Sequence, residues 1–184
     1  MRPSASVSPP PSARPAQTGT SLYSLDSSLL DGNSLTTARS DCTRQLSPRE
    51  AVLTTFQSLS GKVRNMFRDQ MKAGDLAFFY HSSCPEPGIY GAMKIVSNAY
   101  PDPTQFDPKS DYYDGKSTPE DPRWLLVDVQ FLQKFEQPVL LSTLRENEAK
   151  LEGLRVLEKG TRLSVTPVKA EHWKLITRLA GVKL

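Results

Sequence analysis

Apolar and polar positions alternate most clearly over Trp124–Phe135. Leu125, Val127, Val129 and Phe131 fall on one face, opposed by Asp128 and Gln130, the period-two signature of a strand. Leu76–His81 and Ile89–Val96 read as two further strands joined by a Pro/Gly turn. In the second, Ile89, Gly91, Met93 and Ile95 should point one way and Tyr90, Ala92, Lys94 and Val96 the other. Val139–Leu141 suggests a short strand, with Ser142 capping a helix through about Lys150. Arg162–Thr166 suggests another strand after the Lys159-Gly160 turn. Helical spacing appears at Val168–Ala180, with Trp173, Ile176 and Leu179 inward, His172 on the solvated side and Gly181 ending the helix. Arg64–Lys72 is a short basic helix closed by Gly74, with Met66, Phe67 and Met71 available to a core. Residues 47–60 hint at a weak helix, capped by Ser47 and carrying Val52, Leu53, Phe56 and Leu59. Five or so strands, several short helices and no βαβ rhythm predict an α+β fold: a small twisted sheet or β-barrel with flanking short helices.

Composition divides the chain of 184 residues near position 60. Residues 1–60 hold two aromatics, Tyr23 and Phe56, among many Ser, Thr and Pro, too few to offset the entropy of ordering the segment. They are expected to form a disordered or weakly ordered tail. Residues 61–184 hold the other thirteen aromatics and suffice for one core. The net charge of +3 is compatible with polyanion binding without requiring it. Residues 61–184 carry 18 Lys+Arg against 16 Asp+Glu, so a nucleic-acid site would have to be a local patch. Two cysteines, Cys42 and Cys84, form neither a disulfide framework nor a metal cluster. No apolar run reaches the roughly 20 residues that span a bilayer, so no membrane association is expected.

Catalytic patterns are weak. His81 and Cys84 could be base and nucleophile, but no orienting third group or oxyanion device accompanies them. There is no P-loop, no dinucleotide fingerprint and no zinc or calcium spacing. The polar stretch 101–122 holds six acidic residues and is long enough to be functional or mobile. No cofactor, no metal and no catalytic residue is therefore expected, and the chain reads as a binder. The strongest chemical feature is Phe78-Phe79-Tyr80-His81-Ser82. Aromatic faces beside a few polar groups suit a flat heteroaromatic ligand such as a nucleobase, and one stacked base is worth roughly 1–3 kcal/mol. Against that, at least one of three adjacent strand aromatics must belong to the core. Trp124 at a strand edge can equally be a lid on it. Arg64, Arg68 and Lys72 recur every four residues along a helix and offer a phosphate-contacting row.

Arg64–Val96, Ala99–Phe106, Trp124–Phe131 and Arg162–Pro167 together resemble the EVE domain of the PUA-like superfamily, in order and over about two-thirds of the chain. The run Phe78-Phe-Tyr-His-Ser82 followed by Glu86-Pro-Gly-Ile-Tyr-Gly91 carries most of the resemblance. It implies a small PUA-like β-barrel in a nuclear protein. It also implies capture of an extruded modified base, such as 5-hydroxymethylcytosine or a related cytosine in DNA. The architecture is similar to YTH domains too, which leaves RNA as the alternative nucleic acid. On this resemblance the base site would comprise Phe79, Tyr80, His81, Ser82, Ile89, Gly91 and Trp124. Arg64, Arg68 and Lys72 would hold phosphates, and the module would act as a monomer. The family's opening strand and its Trp-x-Gly-Val-Arg-Asn segment have no counterpart in residues 1–63. The expectation is therefore a domain over 61–184 without its first strand and with a barrel open along one edge, and the further alternative is a base-binding-deficient form that acts as an interaction protein.

Overall fold

The computed structural model describes residues 20–26, 53–58, 60–82, 84–158 and 164–184. Seven strands are described: β1 (Leu22–Asp26), β2 (Leu53–Gln57), β3 (Leu76–His81), β4 (Gly88–Ile95), β5 (Tyr100–Pro101), β6 (Leu125–Leu140) and β7 (Val165–Pro167). Three α-helices accompany them: α1 (Gly61–Asp69), α2 (Leu141–Glu146) and α3 (Ala170–Leu179). The strands form one mixed sheet in the order β2-β6-β4-β3-β1-β7, with β5 also on β6, curled as a half-barrel. The expected α+β class is therefore the observed one.

The expected boundary between tail and sheet does not hold at residue 60. β1 lies parallel to β3 from Leu22↔Leu76 to Asp26↔Tyr80 and antiparallel to β7. A first strand is thus present in the sheet. Its Tyr23 and Leu25 are buried, and its entry is held by the buried Asp75 carboxylate, which accepts from Ser21 N at 2.8 Å and Lys72 N at 2.9 Å. The weak helix expected over 47–60 is also corrected. Residues 47–52 lie outside the described residues, whereas Leu53–Gln57 pairs antiparallel with β6. An unsatisfied strand edge is a stronger template than a short helical period, and Thr55 Oγ1 donates to Asp128 Oδ1 across that pairing at 3.1 Å.

β6 runs without interruption from the best-patterned strand through the piece expected as a separate strand. Its pairing with β4 slips twice. Phe131 opposes Met93 while Gln133 opposes Ala92, so Leu132 is an extra residue. β4 slips against β3 as well, since Phe79 opposes Gly91 and Tyr80 opposes Ile89. Each bulge flips the alternation. As a result Ile89 and Ala92 enter one core while Tyr90, Met93 and Ile95 enter the other. The uniform alternation expected along β4 fails for that reason. The last helix is α3, and its Trp173 and Ile176 are buried as expected. His172 is 2% exposed rather than solvated. Ser142 sits inside α2, which begins without a side-chain cap.

The two cores lie on opposite faces of the sheet. One gathers Tyr23, Phe56, Phe67, Phe79, Tyr90 and Val129 under α1. The other gathers Phe78, Ile89, Phe135, Leu144, Trp173 and Ile176 under α2 and α3. Phe78 stacks on Trp173 at 3.8 Å and 13°, so successive aromatics of β3 anchor opposite cores. Gly88 is required by close approach: a Cβ there would lie 2.7 Å from Val139 O.

Candidate nucleobase and aromatic clefts

The seven residues expected at a base site do not converge. Phe79, Ile89 and Gly91 are buried in the sheet. His81 is 6% exposed and lies 6.1 Å, edge to face, from Tyr90. Burial lowers its pKa and outweighs the opposing charge of Asp26. The Cys84 thiol is directed at the carbonyls of His81 and Glu86, at 3.8 and 3.2 Å, not at an imidazole nitrogen. Tyr80 and Ser82 line one cleft, and Trp124 lines another.

The Tyr80 cleft opens at the ends of the parallel pair β1 and β3. It has a volume of about 180 Å³, and its lining includes Ser24, Asp26, Tyr80, Ser82, Glu158 and Thr166. Such a space is smaller than the roughly 300–1,000 Å³ of drug-sized sites and matches a single ring. Ser24 and Thr166 are cross-strand partners, 3% and 2% exposed. Neither hydroxyl has a hydrogen-bond partner among the described residues. A buried polar group in that condition costs about 1–3 kcal/mol. Ser82 Oγ donates to Asp26 Oδ1 at 3.0 Å. Tyr80 stays protonated: burial raises its pKa first and Asp26 raises it further, while Arg145 acts the other way. Arg145, in the last turn of α2, is therefore a cation whose charge reaches this cleft.

Sequence reasoning missed Ser24, Asp26, Thr166 and Arg145. Three of them sit on β1 or β7, short strands whose pairing is non-local. The legible signal was a hydroxyl amid apolar neighbours, in Leu22-Tyr-Ser-Leu25 and Val165-Thr166. The basic row is shorter than expected, because α1 ends at Asp69 and Lys72 lies beyond it. Arg64 is half-buried, with Nε 3.4 Å from Asn65 Oδ1. Arg68 is exposed and forked onto Asp69 at 2.7 and 2.9 Å. That is a surface pair, worth little, so its guanidinium can exchange partners.

The Trp124 cleft is built differently. Gln105, fully buried, organises the loop around it. Its amide nitrogen donates to Asp102 O and Trp124 O, and its oxygen accepts from Ser117 Oγ and from the backbone of Arg123 and Trp124. Gln57 of β2 donates to the buried Asp102 carboxylate in a short hydrogen bond. The 101–122 stretch, expected to be functional or mobile, is thus pinned at its base. Among the described residues no group of three His, Cys, Asp or Glu could hold a metal ion, and no helix is long and apolar enough to cross a membrane.

A mixed-sheet half-barrel flanked by helices, with a small polar cleft at the ends of two parallel strands, defines a PUA-like module. The EVE domain family model matches residues 39–179, and the chain belongs to that family. An uncharacterized protein of Schizosaccharomyces pombe is 44% identical over 120 residues, 65% of this chain and 50% of the relative. Human thymocyte nuclear protein 1 is 41% identical over 124 residues, 64% of this chain and 55% of the relative. The chain thus spans about half the length of the curated relatives it matches. Among solved structures, human THYN1 in complex with 5-methylcytosine-containing DNA aligns with a TM-score of 0.72 at 30% identity, over 90% of this chain and 100% of that one. A Pseudomonas syringae protein aligns with a TM-score of 0.66 at 38% identity, over 86% and 99%.

Proposed function

We propose that the chain is a nuclear, non-enzymatic module that binds DNA and takes a 5-substituted cytosine, flipped from the stack, into the Tyr80 cleft. The observation that carries this reading is the pair of buried, unpartnered hydroxyls of Ser24 and Thr166 in a space of single-ring size. Both oxygens are closed off in this structure, and turned toward the cleft they can donate to the ring N3 and O2 acceptors of cytosine. The Asp26 carboxylate accepts from the exocyclic N4 amine, the pairing that geometry favours for cytosine. Tyr80 forms the wall. The human THYN1 complex with methylated DNA supports the choice of DNA and of a modified cytosine. Methyl and hydroxymethyl at C5 are distinguished in this reading by whether the added group finds a hydrogen bond. Arg145, whose charge reaches Tyr80, is the phosphate anchor in this reading. Arg64, Arg68 and Lys72 serve the flanking backbone.

Fluorescence anisotropy with duplexes carrying cytosine, 5-methylcytosine or 5-hydroxymethylcytosine at one position tests the reading. Asp26→Ala should cost about 1–3 kcal/mol of binding to modified duplexes, the worth of a good base-edge contact, and should erase the preference for modification. An unchanged preference would remove Asp26 and the cleft from the site. Arg145→Ala should weaken all duplexes alike and reduce the salt slope by about 0.9. A matched RNA series binding more tightly than DNA would transfer the reading to RNA.

A further inference from the structure

The second cleft has a lining that shares no residue with the first. Its volume is about 260 Å³, and it is walled by Gln57, Asp111, Tyr112, Tyr113, Asp114 and Trp124. Three aromatic and two acidic residues line it, and among the described residues no basic one does. Tyr112 and Tyr113 are 45% and 49% exposed, unusual for large aromatics in this chain. The surrounding stretch 101–122 holds six acidic residues against two lysines. A phosphate backbone is repelled by such a surface, whereas a cation is drawn to it.

The walls are held in place before any ligand arrives. Trp124 Nε1 donates to Asp114 Oδ2 at 3.1 Å, and Gln105 grips both the N–H and the C=O of Trp124. Asp114 is kept ionised by the backbone N–H of Lys116 and, after it, by Arg123 and Trp124. The Arg123 guanidinium lies 5.8 Å from the Trp124 ring centroid and 3.2 Å from Asp114. It is outside the lining, so this indole already accepts a cation in contact with a carboxylate while still presenting surface to the cleft.

Aromatic faces combined with fixed negative charge favour a bulky, weakly hydrated ammonium over a small, strongly hydrated one. Such an ion loses little solvation and gains cation–π attraction from each ring. We propose that the Trp124 cleft binds a methylated lysine side chain presented by a protein partner. The proposal does not rest on base capture at the Tyr80 cleft.

The test uses the full chain, ¹⁵N-labelled, titrated with N-acetyl-Nε-trimethyllysine methylamide, with its uncharged tert-butyl isostere, and with a 5-methylcytosine duplex. The indole N–H of Trp124 reports on the cleft, and that of buried Trp173 is the internal control. The expected result is a saturable shift of Trp124 alone, with the cation binding at least about threefold more tightly than the isostere, as cation–π energies at exposed sites imply. Tyr113→Ala and Asp111→Asn, both at the surface, should each weaken the cation about two- to fivefold while leaving the Trp173 resonance in place. Equal binding of cation and isostere, no saturable shift of Trp124 at millimolar probe, or a Trp124 shift produced by the duplex in place of the cation would each overturn the proposal.

Discussion

The two clefts of this half-barrel are opposite in construction. The Tyr80 cleft is assembled from β1, β3, β7 and the turn before residue 158, segments up to about 140 positions apart, and it presents hydroxyls lacking partners. The Trp124 cleft draws five of its six lining residues from positions 111–124, and it presents rings together with an Asp114 carboxylate whose hydrogen bonds are already made. The first can discriminate a hydrogen-bonding edge, because an unsatisfied buried hydroxyl rewards the ligand that completes it. The second can discriminate charge and shape, because Gln57 and Asp114 are committed and Tyr112 and Tyr113 are exposed. Position in the fold follows the same division. The first rests on the core under α3, whereas the second rests on one buried glutamine.

That contrast breaks most severely at the cores. Phe78→Ala removes the ring stacked on Trp173 beneath the Tyr80 side and should cost about 3–5 kcal/mol. Tyr112→Ala should stay within about 0.5 kcal/mol, as exposed substitutions do. Urea denaturation of both variants checks the difference, and equal losses would mean that the clefts share one support.

Gln105→Ala tests the single support of the other cleft. It strands the Asp102 carbonyl and the Trp124 N–H, and leaves the Trp124 carbonyl and the Arg123 N–H with one partner each, at about 1–3 kcal/mol. Hydrogen exchange should accelerate across 102–124 while β1 and β3 stay protected. Acceleration in β1 would contradict the separation.

Thr166→Val sharpens the comparison from the ligand's side. The swap keeps the shape and deletes an unpartnered hydroxyl, so the melting temperature should rise, by up to about 1 kcal/mol of stability, while affinity for modified duplexes falls. A stabilised variant with unaltered affinity would show that the hydroxyl does not meet the base.

The smallest effect concerns pH. Burial depresses the folded pKa values of His81 and His172 below the ordinary value near 6.5. The unfolded chain therefore binds protons first. Stability is complete above about pH 6.5 and declines as pH falls through the depressed folded values. His81→Phe, which retains a ring against Tyr90, should flatten part of that decline in thermal melts between pH 7 and 5. An unchanged slope would leave His172 and the carboxylates as its source.

How much of this was legible follows the range of the interactions. Period-two patterning located β3, β4 and the first half of β6, because each buries alternate side chains whatever its neighbours are. Helical spacing located α3 and the middle of α1, and the Phe78–Gly91 run carried the family. Each of these signals is local, so residue order by itself determined the fold class and the EVE membership later matched over 39–179. Three-dimensional pairing decided the rest. β1 and β2 are five residues long with no period-two pattern of their own and become strands because β3 and β6 offer unpaired edges. The bulges around Gly91 and Leu132 exchange the faces of β4 and β6, and only cross-strand register reveals that slip. For the same reason Phe79, His81 and Ile89 went to the cores, while Ser24 met Thr166 across a strand pair that no stretch of neighbouring residues encodes.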